Sequence, residues 1–263
     1  RRAGRPARPD RRVDRAVCLL VVASRVLPTW PLVVAANRDE RLDRPATPAG
    51  LLREHPYRTV GGRDLLAGGT WLAVNDRGVV AGLTNRPLPD GPDPTKRSRG
   101  EIPLALTGAA DATTAVIAFE KTYVPGTYNP CWVLVGDRTS LYVLDLTGDL
   151  DVRTLPAGVH VLENAAYGEP SSKVDRVHRL LDDRLGSGGD PFAAFTDVLG
   201  DHVVTDPSRA RPEVSACCVH AADYGTRSSL IVRVPVDPAR VPVVSSSDGP
   251  ACRHDLVEVP FRD

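Results

Sequence analysis

Short apolar runs bounded by polar turn residues recur along the chain, and this pattern predicts a structure built mainly of β-strands. The tripeptide Asp76-Arg77-Gly78 separates two of these runs and predicts a tight hairpin, so the flanking strands should be antiparallel. The predicted strands cover residues 18–23, 32–36, 70–75, 79–84, 132–135, 141–146, 159–162, 215–220, 229–234 and 257–259.

Helical spacing of apolar residues is found mainly in the middle of the chain. Ser98 and Glu101 have the spacing of a capping box, and Asp111 precedes another helical segment that it could cap. Blocks of strands with helices between them, and few βαβ units, predict an α+β fold with layered antiparallel sheets. The predicted helices cover residues 102–106, 112–121, 174–185 and 191–199, and residues 88–98 are a loop that is either an active-site flap or a solvated surface loop.

The composition of the chain is that of an ordinary globular protein, and its charge, apolar runs and cysteines each bear on the kind of partner or compartment to expect. The chain has 263 residues, of which 42% are hydrophobic and 25% charged. Its formal net charge is zero, so its charge does not predict a nucleic-acid partner. No apolar run approaches the ~20 residues of a membrane span. The 5 cysteines lack the spacing of a disulfide framework, which favours a reducing cytoplasm.

The start of the chain differs in character from the rest. Residues 1–16 are rich in arginine and proline and have no apolar period, so we expect a disordered basic leader before a single domain at 17–263. The chain contains no methionine, and Val17 is a candidate for an alternative start codon that the cell reads as methionine. Removal of that methionine would leave Cys18 as the first residue. The alternative is that residues 1–16 are a genuine basic tail.

A cysteine and a polar cluster lie at neighbouring ends of the first two predicted strands. Cys18 begins the first strand and Asn37-Arg38-Asp39-Glu40 ends the second, so a hairpin can bring the cluster beside the cysteine. If Cys18 is the first residue, its thiol and its α-amine form a complete nucleophile–base pair. An α-amine has an ordinary pKa of about 7.7–8.0, which suits a general base at neutral pH. The alternative is a small buried strand cysteine.

Alternation of side chains along a strand divides the polar cluster between two faces. Asn37 and Asp39 share one face, which favours a joint role, although an aspartate after a strand also often makes a turn. Arg38 and Glu40 share the other face, where they could form an ion pair that only supports the structure.

Several short motifs, in this order and spacing, resemble those of the NRDE family, also called the transport and Golgi organisation protein 2 family. The resemblance covers nearly everything from Cys18 to about Val234. Any one motif is weak, but their combination is specific. The motifs are Cys18-Leu19-Leu20, Asn37-Arg38-Asp39-Glu40, Gly68-Gly69-Thr70-Trp71-Leu72, Gly82-Leu83-Thr84-Asn85, Ser98-Arg99-Gly100 and Tyr224-Gly225-Thr226-Arg227-Ser228-Ser229.

The NRDE family in turn resembles the N-terminal nucleophile (Ntn) hydrolases, above all the cysteine members that cleave bile-salt and penicillin amides. This resemblance implies a four-layer αββα sandwich of two antiparallel sheets. It also implies Cys18 as the nucleophile, Asp39 as the aspartate that holds the α-amine, Asn164 as the oxyanion donor and Arg227 as a late active-site arginine. The alternative for Asn164 is an ordinary loop asparagine.

Substrate binding is expected from Asn37, Arg38, Asn85 and Arg227. Asn85 ends a strand and either makes a turn or points into the site from the neighbouring strand. Arg227 either binds a substrate carboxylate or phosphate through two hydrogen bonds or is an exposed structural arginine. One departure from the hydrolases is Ala36, because they carry arginine just before Asn-x-Asp, and Arg38 could substitute only from the same face as Ala36.

These patterns predict a cytoplasmic hydrolase without a cofactor, acting on a small linear amide or an acyl ester or thioester. The alternative is a non-enzymatic carrier of haem or a lipid metabolite on the same fold. Cys217-Cys218-Val219-His220 has no zinc-site spacing, and adjacent strand residues face opposite ways, so we expect core packing there and no metal site.

Overall fold

The structure, a computed structural model, describes residues 18–186 and 190–261. The leader predicted at residues 1–16 lies outside these described residues. The strands are β1 Leu19–Ser24, β2 Leu32–Arg41, β3 Ala46–Arg53, β4 Thr59–Asp64, β5 Leu72–Asn75, β6 Val80–Asn85, β7 Cys131–Gly136, β8 Leu141–Asp145, β9 Asp151–Thr154, β10 Gly158–Leu162, β11 Tyr224–Val234, β12 Val243–Ser247 and β13 Val257–Val259. The helices are α1 Glu101–Leu106, α2 Ala112–Thr122, α3 Ser172–Gly186 and α4 Pro191–Leu199, with a short 3₁₀ helix at Pro212–Ser215.

Two antiparallel sheets carry the described strands. The six-stranded sheet has the order β10-β1-β2-β11-β12-β13, and the seven-stranded sheet has the order β3-β4-β5-β6-β7-β8-β9. The first hairpin, β1–β2, therefore lies inside the six-stranded sheet, where Leu19 is opposite Asn37 and Leu20 is opposite Ala36. This register brings the end of β2 next to Cys18, which directly precedes β1.

Three apolar clusters separate four layers. On β1, Leu20 and Val22 point into the core between the two sheets, whereas Leu19 and Val21 point toward α3 and α4. A third cluster packs α1 and α2 on the outer face of the seven-stranded sheet. Alternate residues of each central strand are therefore buried in different apolar clusters, and both faces of the strand are covered. The predicted α+β fold, a four-layer αββα sandwich, is confirmed.

Most of the predicted elements near the cleft are confirmed. The hairpin around Asp76-Arg77-Gly78 joins β5 and β6 as an antiparallel pair. Asp111 caps α2, because its side chain accepts a hydrogen bond from the backbone N–H of Thr114 at 2.8 Å. The capping box predicted at Ser98 is wrong, since α1 begins after Gly100 and has no side-chain cap.

The strand predicted at 215–220 is also wrong. Its residues Ser215–His220 belong partly to the 3₁₀ helix and otherwise to turns, with only an isolated bridge between His220 and Gly225. The run is apolar because Cys217 is packed under α3 and α4. Burial alone therefore gave it the composition of a strand.

Strands β3, β4, β9 and β12 were not predicted, because none shows an apolar alternation. β4 has glycines at Gly61 and Gly62, where an alternating strand would carry side chains. A Cβ on Gly61 would lie 2.4 Å from the Leu72 carbonyl oxygen, and a Cβ on Gly62 would lie 2.2 Å from the Trp71 ring, so a larger residue would clash at either position. The end of β12 is a run of serines, Ser245–Ser247. These strands are specified by their neighbours in the sheet rather than by local pattern.

Within the described residues, we find no helix with the length and apolar character that crossing a membrane requires.

Candidate active site

Cys18 lies at the mouth of a cleft between the two sheets. It continues the face of Leu20 and Val22 and is 8% exposed, with its Sγ 3.9 Å from the backbone carbonyl oxygen of Asp39. Burial and, to a smaller extent, the nearby Asp39 carboxylate raise the pKa of the Cys18 thiol to about 12. The thiol therefore needs a neighbouring base or positive charge before it can act as a nucleophile.

The cleft consists of two adjoining cavities. Cys18 and Arg38 line a cavity of about 310 Å³, and Asn164 lines one of about 440 Å³. Residues of the 88–98 loop contribute to the walls of both cavities, so this loop flanks the candidate site. The residues shared by the two linings are Glu40, Arg44, Asn85, Pro92 and Arg99.

Asp39 holds its carboxylate on the other side of the sheet from the Cys18 side chain. Its Oδ1 accepts a 2.6 Å hydrogen bond from Thr226 Oγ1, while Oδ2 is buried without a hydrogen-bond partner among the described residues. Burial raises the pKa of Asp39 to about 7, although the charge of Lys173 and the Thr226 hydrogen bond lower it. This half-paired carboxylate is suited to hold a cation that approaches along the backbone of Cys18.

Lys173 was not among the predicted site residues. It is 1% exposed on α3, and its Nζ donates a 2.9 Å hydrogen bond to the Val214 carbonyl oxygen. A signal was present in the sequence, because Lys173, Val177 and Leu181 are four residues apart and so lie on the buried face of the helix. A lysine at such a position needs a buried acceptor or counter-charge, and Asp39 is within its electrostatic reach.

Asn37 makes three hydrogen bonds within the fold and is not among the residues that line the two cavities, and its role in binding substrate stays a prediction. Its Nδ2 donates to the carbonyl oxygens of Leu199 and Cys217 at 2.9 and 2.8 Å, and its Oδ1 accepts from Ser229 Oγ at 2.6 Å. The expected shared face of Asn37 and Asp39 is confirmed. On that face, Asn37 is bonded to α4 and the 217 segment, and of the two residues only Asp39 is among those that line the Cys18 cavity.

Arg38 lines the cleft on the same face as Ala36, one strand alternation closer to Cys18. Its guanidinium lies 4.6 Å from the centre of the Trp71 ring, and Nη2 is 3.4 Å from Asp64 Oδ2. Nη1 is buried and has no hydrogen-bond partner among the described residues. Arg38 thus pairs with Asp64 rather than with Glu40. Because it lies on the same strand face as Ala36, it could take the place of the arginine that the hydrolases carry at that position.

The two candidate asparagines Asn85 and Asn164 both reach the cleft. Asn85 is half-buried at the end of β6 and lines both cavities, which supports the second of its two interpretations. Asn164 follows β10, is 7% exposed, and has neither its Oδ1 nor its Nδ2 bonded within the described part of the chain. A buried amide in this state is costly unless a ligand completes its hydrogen bonds.

Arg227 is not among the residues that line these two cavities, and its role at the site stays a prediction. It lies at an irregularity of β11, where the pairing with β2 shifts between Thr226 and Ser228. Its Nη1 donates to the carbonyl oxygen of Leu42. The bulge resets the alternation of the strand, so the side chain is directed to the neighbouring loop instead of the cleft.

Arg99 is a cleft residue that the sequence analysis quoted in a family motif but did not assign to the site. It lines both cavities, and its Nη1 donates a 3.2 Å hydrogen bond to the Pro130 carbonyl oxygen. Burial lowers the pKa of Arg99, while the neighbouring thiols Cys131 and Cys18 act in the opposite direction. Together with Arg38, it places positive charge around the thiol.

Comparisons with known proteins agree with this architecture. The family model described as Transport and Golgi organisation 2 matches residues 17–241. The Transport and Golgi organization protein 2 homologs of Bos taurus and Homo sapiens are each 29% identical over 241 residues, covering 79% of this chain and 83% of theirs.

Solved structures share the fold at low sequence identity. A Caenorhabditis elegans ortholog of N-acylethanolamine-hydrolyzing acid amidase aligns with a TM-score of 0.54 and 17% identity, over 84% of this chain and 95% of its own. A variant of conjugated bile acid hydrolase from Clostridium perfringens aligns with a TM-score of 0.56 and 11% identity, over 92% of each chain. These likenesses establish an Ntn-hydrolase-like fold.

Proposed function

The chain belongs to the Transport and Golgi organisation 2 family, and from the geometry of its cleft we propose that it is a hydrolase whose nucleophile is an N-terminal Cys18. The substrate is a small linear amide or an acyl ester or thioester. The observation that carries the proposal is the position of Cys18 on the cleft wall, with the unbonded amide of Asn164 in the adjoining cavity. The fold shared with two amide hydrolases supports the same reaction class.

The reaction needs no group beyond the chain and water. The α-amine of Cys18 takes the proton from Sγ, and the thiolate forms a bond to the substrate carbonyl carbon. Asn164 Nδ2 donates a hydrogen bond to the oxyanion, an effect worth about 3–4 kcal/mol per donor. The C–N, C–O or C–S bond breaks as the α-ammonium returns its proton to the leaving group. Water then attacks the acyl-enzyme, the amine takes a proton from that water, and the thiol leaves reprotonated.

Asp39 has a positioning role in this proposal. Its unpaired Oδ2 accepts a hydrogen bond from the α-ammonium of Cys18, which compensates for the burial of both charges. The proposal therefore requires that the mature chain begin at Cys18. With an amide at this position, the base is absent and the thiol keeps its high pKa.

The alternative, a carrier of haem or a lipid metabolite, stays a prediction. The charged side chains that the cleft presents, including Glu40, Arg44 and Arg99, suit a small polar acyl substrate better than a large apolar ring. A haem titration monitored at the Soret band, with and without Cys18, tests this alternative directly.

The test of the hydrolase begins with the intact mass and N-terminal sequence of protein purified from its native host. Protein that begins at Cys18 is then assayed on a panel of N-acyl amides, acyl esters and acyl thioesters. Cys18→Ala should abolish turnover and leave the fold intact, whereas Cys131→Ala, which removes a buried thiol from β7, should retain it. A slow ester should add its acyl mass to Cys18. Turnover that persists in Cys18→Ala would refute the proposal.

A further inference from the structure

Four metal-ligating side chains meet outside the cleft, on the helical side of the six-stranded sheet. The donor atoms of His202, Cys218, His220 and Cys252 all lie within 4.8 Å of one another. Cys218 Sγ is 3.7 Å from Cys252 Sγ and 3.5 Å from His220 Nε2, and His220 Nε2 is 3.3 Å from Cys252 Sγ. The rings of His202 and His220 have their centres 4.9 Å apart.

The separations among Cys218, His220 and Cys252 match the edges of a zinc tetrahedron, and the donor nitrogen of His202 lies within 4.8 Å of these three donor atoms. Zn–S bonds of about 2.3 Å and Zn–N bonds of about 2.0–2.1 Å at tetrahedral angles place two sulfurs about 3.8 Å apart and a sulfur and a nitrogen about 3.6 Å apart. The distances between Cys218, His220 and Cys252 are within about 0.3 Å of these values. Two thiolates with two imidazoles also form a donor set that binds zinc, whereas harder cations bind oxygen ligands.

Contacts of the backbone bring these side chains together. The backbone N–H of Cys218 donates a 2.9 Å hydrogen bond to the carbonyl oxygen of Asp201, the residue before His202. Gly200 lies next to Cys252, because a Cβ built on this glycine would be 3.7 Å from the Cα of Cys252, which is ordinary van der Waals distance. Three segments distant in sequence are therefore held side by side by contacts other than those among the four donors.

We propose that His202, Cys218, His220 and Cys252 bind one zinc ion with a structural role. Four protein ligands complete a tetrahedral shell, which is the form of a structural site rather than of a catalytic one. The ion would join the segment after α4, the 216–220 segment and the C-terminal turn at Cys252. This inference is independent of the proposed hydrolase activity, because none of the four residues lines the catalytic cleft.

The position of the site connects it to the architecture behind Cys18. The carbonyl oxygen of Cys217 accepts from Asn37, and the backbone N–H of Val219 donates to Thr226 Oγ1 at 2.9 Å. Thr226 in turn donates to Asp39. Zinc would therefore stabilise the segment that holds Asn37 and Asp39 of β2 in place.

The sequence analysis assigned Cys218 and His220 to core packing, because their spacing matches no zinc motif. That argument lacked two of the ligands, since His202 and Cys252 come from segments that only the fold brings close. Cys218 and His220 are two residues apart, and the structure places both on the side of Cys252. A site assembled from distant segments has no local signature.

The test is the zinc content of the full chain, purified under reducing conditions and dialysed against metal-free buffer. The wild type should retain about one zinc per chain, and Cys252→Ser and His202→Asn should each retain less than about 0.2. Both residues are exposed, so their replacement should leave the fold intact. Matched controls are Cys131→Ala and His254→Asn, which remove a thiol and an imidazole outside the cluster and should retain the wild-type amount.

A cobalt titration gives a second measurement on the same proteins. Tetrahedral Co²⁺ bound by two thiolates should show intense d–d bands and a sulfur-to-cobalt charge-transfer band in the wild type but not in Cys252→Ser. Wild-type protein that retains no zinc and shows no such bands would overturn the proposal. So would equal retention by Cys252→Ser, or a Cys218–Cys252 disulfide found by peptide mapping of protein purified without reductant, because a disulfide brings the sulfurs to about 2.05 Å and removes both thiolates.

Discussion

Thr226 Oγ1 donates a 2.6 Å hydrogen bond to Oδ1 of Asp39, and the two residues are direct cross-strand neighbours on β11 and β2. The bond satisfies only one oxygen of a carboxylate that is 1% exposed. An ordinary structural aspartate at this depth would be expected to have both oxygens bonded. The pair therefore fixes the orientation of Asp39 and leaves its second oxygen for another donor, which in our proposal is the α-ammonium of Cys18.

The first prediction concerns the pH dependence of stability in a chain that retains residues before Cys18. The pKa of Asp39 is about 7 in the folded state against 3.8 ordinarily, so the folded state binds the proton more tightly. The stabilising contribution is therefore complete below about pH 4 and is lost as the pH rises through about 7. Relative to Asp39→Asn, wild-type stability should fall by up to about 4 kcal/mol over this interval, measured by urea unfolding at each pH.

The comparison with Asp39→Asn cancels other titrating groups, because they are common to both proteins. A difference between the two proteins that does not vary from pH 4 to pH 7.5 would contradict the raised pKa. In a chain that begins at Cys18, the α-ammonium should lower the pKa of Asp39. The stability difference between the wild type and Asp39→Asn should then vary less with pH, so the same measurement also reports whether the amine is present.

The second prediction concerns the roles of Asn164 and Asn37, two buried asparagines that the sequence analysis both assigned to the site. Asn164→Ala should lower kcat by about 10²–10³-fold with little change in stability, because it removes an oxyanion donor that has no partner among the described residues. Asn37→Ala should instead cost about 3 kcal/mol or more of stability, because it leaves two carbonyl oxygens and the Ser229 hydroxyl without their partner.

Kinetic assays well below both melting temperatures, together with urea unfolding curves, give the two readouts. A large loss of stability in Asn164→Ala, or a large loss of kcat in Asn37→Ala, would reverse the assigned roles.

Strand alternation predicts which side chains share a face of a strand, but it does not predict what covers that face. Alternation placed Asn37 with Asp39 and Arg38 with Glu40 correctly, because the period of a strand is local. It did not specify which face would be covered by helices, so the contact of Asn37 with α4 could not be predicted. The position of Arg227 was not predictable for a related reason, since the irregularity next to it resets the alternation.

Residues that act through distant contacts were the hardest to find. Lys173 had a local signal in its helical spacing, whereas Asp64 and Trp71 reach Arg38 only through the packing of one sheet on the other. The apolar runs of β1, β2, β5 and β6 reflect burial on both faces, so layered antiparallel sheets were predictable from the pattern, whereas the four-layer αββα sandwich was implied by the family resemblance.

The third prediction concerns the positive charge around the thiol. Arg38→Met and Arg99→Met should each lower kcat/KM by about 10–100-fold for an acyl substrate that carries a carboxylate, since a charge-assisted hydrogen bond is worth about 1.5–3 kcal/mol. The loss for a neutral substrate of the same length should be much smaller. Arg153→Met is the control, because Arg153 is an exposed arginine on β9 that pairs with Asp151 outside the cleft. Equal losses on both substrates would show that the arginines act on the thiol or on the fold rather than on the substrate carboxylate.

The last prediction tests how Trp71 supports Arg38. A Cβ on Gly62 would lie 2.2 and 2.3 Å from two carbons of the Trp71 ring, so Gly62→Ala must displace the ring on which the Arg38 guanidinium is stacked. Overpacking of this kind costs about 1–3 kcal/mol. Gly50→Ala is the matched control, because the space around Gly50 on β3 contains no atom within 4 Å of the added Cβ, and its effect should stay within about 0.5 kcal/mol. In a Trp71→Ala background the cost of Gly62→Ala should largely disappear, since the clashing ring is gone. Urea unfolding of the two single variants and the double variant measures this coupling, and an undiminished cost without the ring would show that Gly62 is required for its backbone conformation rather than for space.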